Sequence, residues 1–151
     1  FNLKKRQNLI AYNPVKGIEI TKRLKSKFSK KFKFVPIENM SHQGVRKFLQ
    51  KVAIYIDFGE HPGRDRFPRE ALLCGCCIIT GYRGSAAFED VPIDNKFKLY
   101  EGKELEKRFG NVIDFLSKRQ DCKKLYEQPY NNVRKDKTIV MSQIRSYLQN
   151  I

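Results

Sequence analysis

Hydrophobic positions along this chain follow two rhythms. Short, dense apolar runs alternate with longer stretches whose apolar residues recur at helical spacing, the pattern of parallel β-α-β units. Leu9-Ile10-Ala11-Tyr12 reads as a first strand, closed by the turn-forming pair Asn13-Pro14. A basic helix is expected from about Lys16 to Ser29, with Ile18, Ile20, Leu24 and Phe28 supplying its apolar positions. Phe32–Ile37 alternates as a strand does, and Ser41 then reads as the N-cap of a helix through about Gln50. Val52–Phe58 is the strongest strand, a nearly continuous apolar run of the kind parallel sheets bury on both faces.

A loop rich in Gly, Pro and charge follows, then a short helix over Pro68–Cys74, with proline where a helix start tolerates it. Cys76–Thr80 is the next buried strand. The Gly-containing loop Gly81–Ala87 leads on to a short strand at Phe97–Tyr100. Beyond it the tail is expected to be helical to the end, in at least two pieces broken around Gln128-Pro129. There is no internal repeat. The expectation is one domain over residues 1–151, an α/β Rossmann-like, doubly wound parallel sheet with a helical C-terminal tail.

Composition narrows the class. The chain has 151 residues and is 40% hydrophobic, enough for one sizeable core. No apolar run approaches the roughly 18 residues of a membrane span. The opening Phe1-Asn2-Leu3-Lys4-Lys5-Arg6 lacks both a signal-peptide pattern and a starting Met, so the chain reads as an intracellular piece of something longer. Lys and Arg number 31 against 16 Asp and Glu, a net charge of +15, which favours anionic partners without choosing among them. Most of that charge lies in Lys22–Lys33 and after Lys103, and reads first as solvated helix faces. The cysteines Cys74, Cys76, Cys77 and Cys122 lack zinc-site spacing, so they read as reduced, buried small hydrophobes and no metal is expected.

In an open parallel sheet, ligands bind beyond the carboxyl ends of the strands. Three polar, glycine-bearing segments meet that condition: Asn13–Gly17, Gly59–Arg69 and Gly81–Phe88. In the second, Gly59 and Gly63 admit a ligand close to the backbone, and Arg64, Arg66 and Arg69 can neutralise phosphate oxygens. The helix beginning at Pro68 adds free N–H groups, and Glu70 in its first turn can accept hydrogen bonds from sugar hydroxyls or simply complement the helix dipole. Asp57 is suited to hold a loop amide.

The stretch Glu60–Asp90 resembles the donor-site region of GT-B glycosyltransferases of the group 1, or family 4, type. The likeness rests on Glu70-Ala71-Leu72-Leu73-Cys74-Gly75-Cys76-Cys77-Ile78-Ile79-Thr80, followed by a Gly-x-x-x-x-Glu pattern from Gly84 to Glu89. It implies that the chain is the donor-binding half of a two-domain enzyme, with a nucleotide-diphosphate sugar as donor substrate and no further cofactor. By the same resemblance Glu70 holds the ribose hydroxyls, and the Gly81–Phe88 loop, with Gly84 and Ser85, lies near the donor. Lys16, Arg64, Arg66 and Arg83 are candidates to neutralise the leaving diphosphate, each with a plain alternative as a surface cation; Gly63 is a further contact, and His61 is either a ligand contact or, as a lone His more often is, structural. The family's usual spacing would place its first Glu at Pro62, so the catalytic carboxylate is open, with Glu60 and Asp65 nearest. Cys77 stands where the family usually has Pro.

Acceptor-binding groups would come from the missing N-terminal domain. The resemblance also implies a cytoplasmic enzyme, met by lipid-linked acceptors at the inner face of an anionic membrane. Three other readings remain. A basic nucleic-acid-binding module explains the charge but lacks any recognition motif, so nucleic acid is not the expected partner. A hydrolase would use Glu60 and Glu70 as a carboxyl pair. A non-catalytic relative would bind partners only.

Overall fold

A computed structural model of the chain describes residues 6–63, 66–88, 90–118 and 124–136. Four strands form its sheet: β1 (Gln7–Tyr12), β2 (Lys33–Pro36), β3 (Val52–Asp57) and β4 (Cys77–Thr80). They lie in the order β2-β1-β3-β4, every pair parallel. Between them run α1 (Ile18–Phe28), α2 (His42–Leu49) and α3 (Arg66–Leu73), and α4 (Leu105–Lys118) follows β4. Residues 124–136 are helical as well and are called α5 here. This is the α/β, Rossmann-like parallel architecture that the alternation predicts.

The order fixes the layers. The chain moves outward from β1 to β2, then returns past β1 to β3 and continues to β4. With right-handed crossovers, α1 falls on one face of the sheet and α2 and α3 on the other. Contacts agree, since α1 packs on α4 and α2 packs on α3. The apolar runs then make sense: all of β4, and β3 except its half-buried Ala53, are buried because helices cover both faces. Across the α1–α4 contact Phe28 and Phe109 meet edge to face at 5.2 Å, with Gly110 packed beside the Phe28 ring. Lys31 pairs with Asp114 and Arg23 with Glu106 along the same seam.

Local signals set the helix ends. Ser41 caps α2, its hydroxyl accepting from Gly44 N at 3.1 Å. At the amino edge of the sheet the Arg6 guanidinium donates to the carbonyls of Leu49, Val52 and Cys74, at 3.1, 2.5 and 2.5 Å. One side chain thus serves the ends of α2 and α3 and the start of β3, which accounts for a half-buried cation there. Cys76 is buried beside it, and burial pushes its thiol up to about 12.

Three expectations require correction. Helix α3 begins by Arg66 rather than at Pro68, so Glu70 lies beyond its first turn and is not a dipole-complementing residue. The strand expected at Phe97–Tyr100 is reduced to one bridge, Thr80 to Lys98, with Leu99 N donating to Thr80 O at 2.8 Å. Asp94 caps a 3-10 turn over Asn95–Phe97, and that turn commits Phe97 to stacking on Tyr126 instead of extending the sheet. Finally, α5 passes through Gln128-Pro129 without breaking. Pro129 removes one helical hydrogen bond, but burial of Tyr126 and Val133 on one face of α5 holds the helix in place. On the side of β4 away from β3, the Tyr126 hydroxyl donates to Ile78 O at 2.8 Å, so α5 covers what would be an open sheet edge.

Candidate functional site

The chain reverses direction across the sheet between β1 and β3, and the carboxyl ends of these two strands define the switch point of an open parallel sheet. The loops leaving them touch backbone to backbone. After β1, Asn13 is buried, and its side-chain oxygen accepts from Val15 N at 3.0 Å and Lys16 N at 3.4 Å. That turn delivers Gly17 in the left-handed region, φ 61°, at the start of α1. A Cβ there would come within 2.4 Å of the Phe58 carbonyl carbon. Reciprocally, a Cβ on Gly59 would lie 2.3 Å from that of Lys16. Glycine is required at both positions for this approach.

The loop after β3 is anchored from beneath. Asp57 is buried; its Oδ1 accepts from Gly59 N at 3.0 Å and its Oδ2 from the Tyr55 hydroxyl at 2.8 Å. Asp57 thus does hold a loop amide. His61 is buried as well, with Nε2 3.7 Å from Asp57 Oδ1, so its imidazole sits within the fold and not on the cleft surface. The loop after β4 closes over it. Gly84 bridges to His61 in parallel fashion and a Cβ on Gly84 would meet His61 O at 2.3 Å. Ser85 N donates to His61 O at 2.8 Å, and the Ser85 hydroxyl donates to Gly63 O at 2.5 Å. All three segments singled out from the sequence therefore meet, the β1 loop on the β3 loop and the β3 loop on the β4 loop.

The cations divide. Lys16 is half-buried in the β1 loop at the switch point. Arg66, 54% exposed, pairs with Glu70 Oε1 at 3.1 Å. Arg69 is turned to α5, where it meets Asp136 at 2.7 Å, and Arg83 is tied to Glu101 at 2.5 Å. Gly63 has φ 156° and faces open space. Glu60 is exposed. Arg64, Asp65 and Glu89 lie outside the described residues.

Glu70, 39% exposed, lines a groove of about 410 Å³ between α2 and α3. His42 and Arg46 contribute from α2 and Gln50 from its C-cap, Leu73 from α3 and Cys74 from the turn after it. Both helices follow strands of a parallel sheet, so His42 and Arg66 mark the end of the groove nearest the carboxyl edge. Burial raises the Cys74 thiol above its ordinary value; the Arg46 charge opposes this and the Glu70 charge adds to it, so cation and carboxylate act within one small field. Sequence reasoning missed this groove, because Arg46 and Glu70 belong to different helices and only the α2–α3 packing joins them.

It also missed Glu101, which lies at the carboxyl edge although it follows the last bridge of the sheet. Its Oε1 is buried without a hydrogen-bond partner among the described residues, 3.3 Å from where a Cβ on Gly81 would stand. Val15, Phe88 and Tyr100 are exposed apolar or aromatic residues on loops at this edge, and Tyr100 stacks on Tyr82 at 4.0 Å. Among the described residues no cluster of His, Cys, Asp or Glu is placed to hold a metal ion, and no helix is long and apolar enough to cross a membrane.

No protein-family model matches the chain, and no curated protein matches it in sequence.

Proposed function

We propose that this chain is the donor-binding domain of a GT-B type glycosyltransferase, holding a nucleotide-diphosphate sugar for transfer to a glycan or lipid-linked acceptor. The observation that carries the reading is the glycine-mediated contact of the β1 and β3 loops at the switch point of the sheet. A half-exposed carboxylate, Glu70, held by Arg66, lines the groove between α2 and α3. A ribose presents two neighbouring hydroxyls, and a carboxylate with one oxygen engaged by Arg66 still offers acceptors to both. Lys16, in the β1 loop at the switch point, and Arg66, at the start of α3, supply positive charge for the diphosphate. Transfer builds negative charge on that leaving group, and fixed cations stabilise it without a metal.

The sugar-facing carboxylate is assigned to the loop between Gly59 and α3, where Glu60 is exposed. The acceptor is assigned to a second domain, for which the exposed Val15, Phe88 and Tyr100 form a suitable apolar rim. The surplus of Lys and Arg suits an anionic membrane carrying a lipid-linked acceptor.

A thermal-shift panel tests the reading. Nucleoside diphosphates such as UDP and GDP are expected to raise the melting temperature in a concentration-dependent way, and a short oligonucleotide is not. Stabilisation by the oligonucleotide alone would make the basic surface a nucleic-acid interface and end the donor assignment.

A further inference from the structure

The fold divides the cations of α1 and the turn into β2 into two sets. Between Lys22 and Lys33 the chain carries seven cations and no acid. Three are answered by carboxylates: Lys22 by Glu19, Arg23 by Glu106 and Lys31 by Asp114. Lys25, Lys27, Lys30 and Lys33 are exposed, and among the described residues no hydrogen bond or ion pair engages their side chains. Lys25 and Lys27 lie in the last turn of α1, where the helix dipole favours a cation. Lys30 lies past the cap at Ser29, and Lys33 already belongs to β2. Of the four, Lys27 alone is felt by a carboxylate, that of Glu106, which Arg23 already holds.

The residues between these lysines decide which anionic partner fits. Phe28, Phe32 and Phe34 interleave with them in sequence, as in a surface on which bases stack. The fold turns these rings inward: Phe28 packs on Phe109, and Phe32 and Phe34 are buried. Arg23 is the one guanidinium of the run, and its pairing with Glu106 leaves no free fork for a phosphate or a base edge. What remains is ammonium charge, on a face without an exposed large apolar side chain. Nucleic-acid surfaces add forks and stacking rings to their charge, whereas an anionic bilayer requires charge alone.

Position agrees with such a role. Helix α1 starts beside the switch point at Gly17 and runs antiparallel to the strands, so its last turn and the lysines beyond it lie toward the amino edge. A surface docked there leaves the glycine-bearing loops of the carboxyl edge open to solution. From this segregation we infer that the face formed by the end of α1 and the start of β2 docks on an anionic lipid bilayer, by electrostatic attraction and without insertion. The inference goes beyond the donor reading and does not depend on it.

Flotation with lipid vesicles tests it, comparing phosphatidylcholine alone with phosphatidylcholine mixed with phosphatidylglycerol. The chain is expected to float only with the mixed vesicles and to be released by high salt. A lysine near an anionic surface contributes about fivefold in partition, so Lys25→Gln, Lys27→Gln, Lys30→Gln and Lys33→Gln combined should cost at least about a hundredfold. A control of equal net charge, combining Lys47→Gln, Lys103→Gln, Arg134→Gln and Lys135→Gln on other elements, should keep most of the binding. Both variants should melt as the wild-type protein does, because the replaced side chains are exposed and unpaired. Equal flotation with neutral vesicles, or a face variant that floats like wild type, overturns the assignment. Equal losses in the two variants overturn it too, since net charge and no particular face would then be acting. A short oligonucleotide bound more tightly than the mixed vesicles, with that binding lost in the face variant, overturns it in favour of nucleic acid.

Discussion

Gly17 shows how much of the candidate site depends on an absent side chain. With φ at 61° and Phe58 backbone where a Cβ would go, Gly17→Ala incurs both the left-handed penalty and a clash with main chain that cannot rotate away. The expected cost is at least about 2 kcal/mol of unfolding free energy by urea titration, together with weakened nucleotide binding. An unchanged denaturation midpoint would show that the two loops do not approach as described. Cys76 is a second position with a definite outcome. Its thiol is raised to about 12 by burial, chiefly because the thiolate would lose its solvent. Above pH of about 9 the unfolded chain releases this proton while the folded chain keeps it, so the folded state loses stability between about 9 and about 12. Denaturation followed across that window should fall less steeply with pH in Cys76→Ala than in wild type. Equal slopes would contradict the burial.

Single positions also mark the limit of what a sequence conveys. Asp57 holding a loop amide, Ser41 capping α2 and the glycines of the three loops were all legible, because each acts on backbone within a few residues of itself. The partners of Arg69 and Arg83 were not. Asp136 and Glu101 lie far along the chain, and only folding shows that these cations are already paired. His61 beside Gly and Pro reads as either a structural residue or a ligand contact, and only the fold of the loop, which turns it inward under Gly84, decides for the first.

Among the elements, the four strands and the first three helices follow directly from apolar periodicity. Errors cluster after β4, where periodicity gives way to individual contacts. Phe97–Tyr100 has the composition of a strand, but an Asp94 cap and a ring stack on Tyr126 decide otherwise. Pro129 is a helix breaker by local rule, and the buried face of α5 overrides it. Since α5 closes the outer edge of β4 through one hydroxyl, Tyr126→Phe leaves the Ile78 carbonyl unpaired in a buried setting. A loss of about 1–2 kcal/mol is expected in chemical denaturation, with the ring stack retained. No loss would mean that water replaces the hydroxyl and that the edge is open.

Taken as one body, the domain brings its glycine-bearing loops to the carboxyl edge, while ion pairs such as Arg23 with Glu106 and Lys31 with Asp114 occupy part of the α1–α4 face. The net charge of +15 therefore speaks to the kind of partner, and the sheet order speaks to where it binds. These two surfaces separate the donor reading from its rivals. Amide chemical-shift mapping during titration with a nucleoside diphosphate is the most direct test. Perturbations grouped at Gly17, Gly59, Arg66 and Glu70 are predicted. Shifts confined to the exposed lysines of α1, or an unchanged spectrum at saturating nucleotide, would contradict the placement of a donor site at the carboxyl edge.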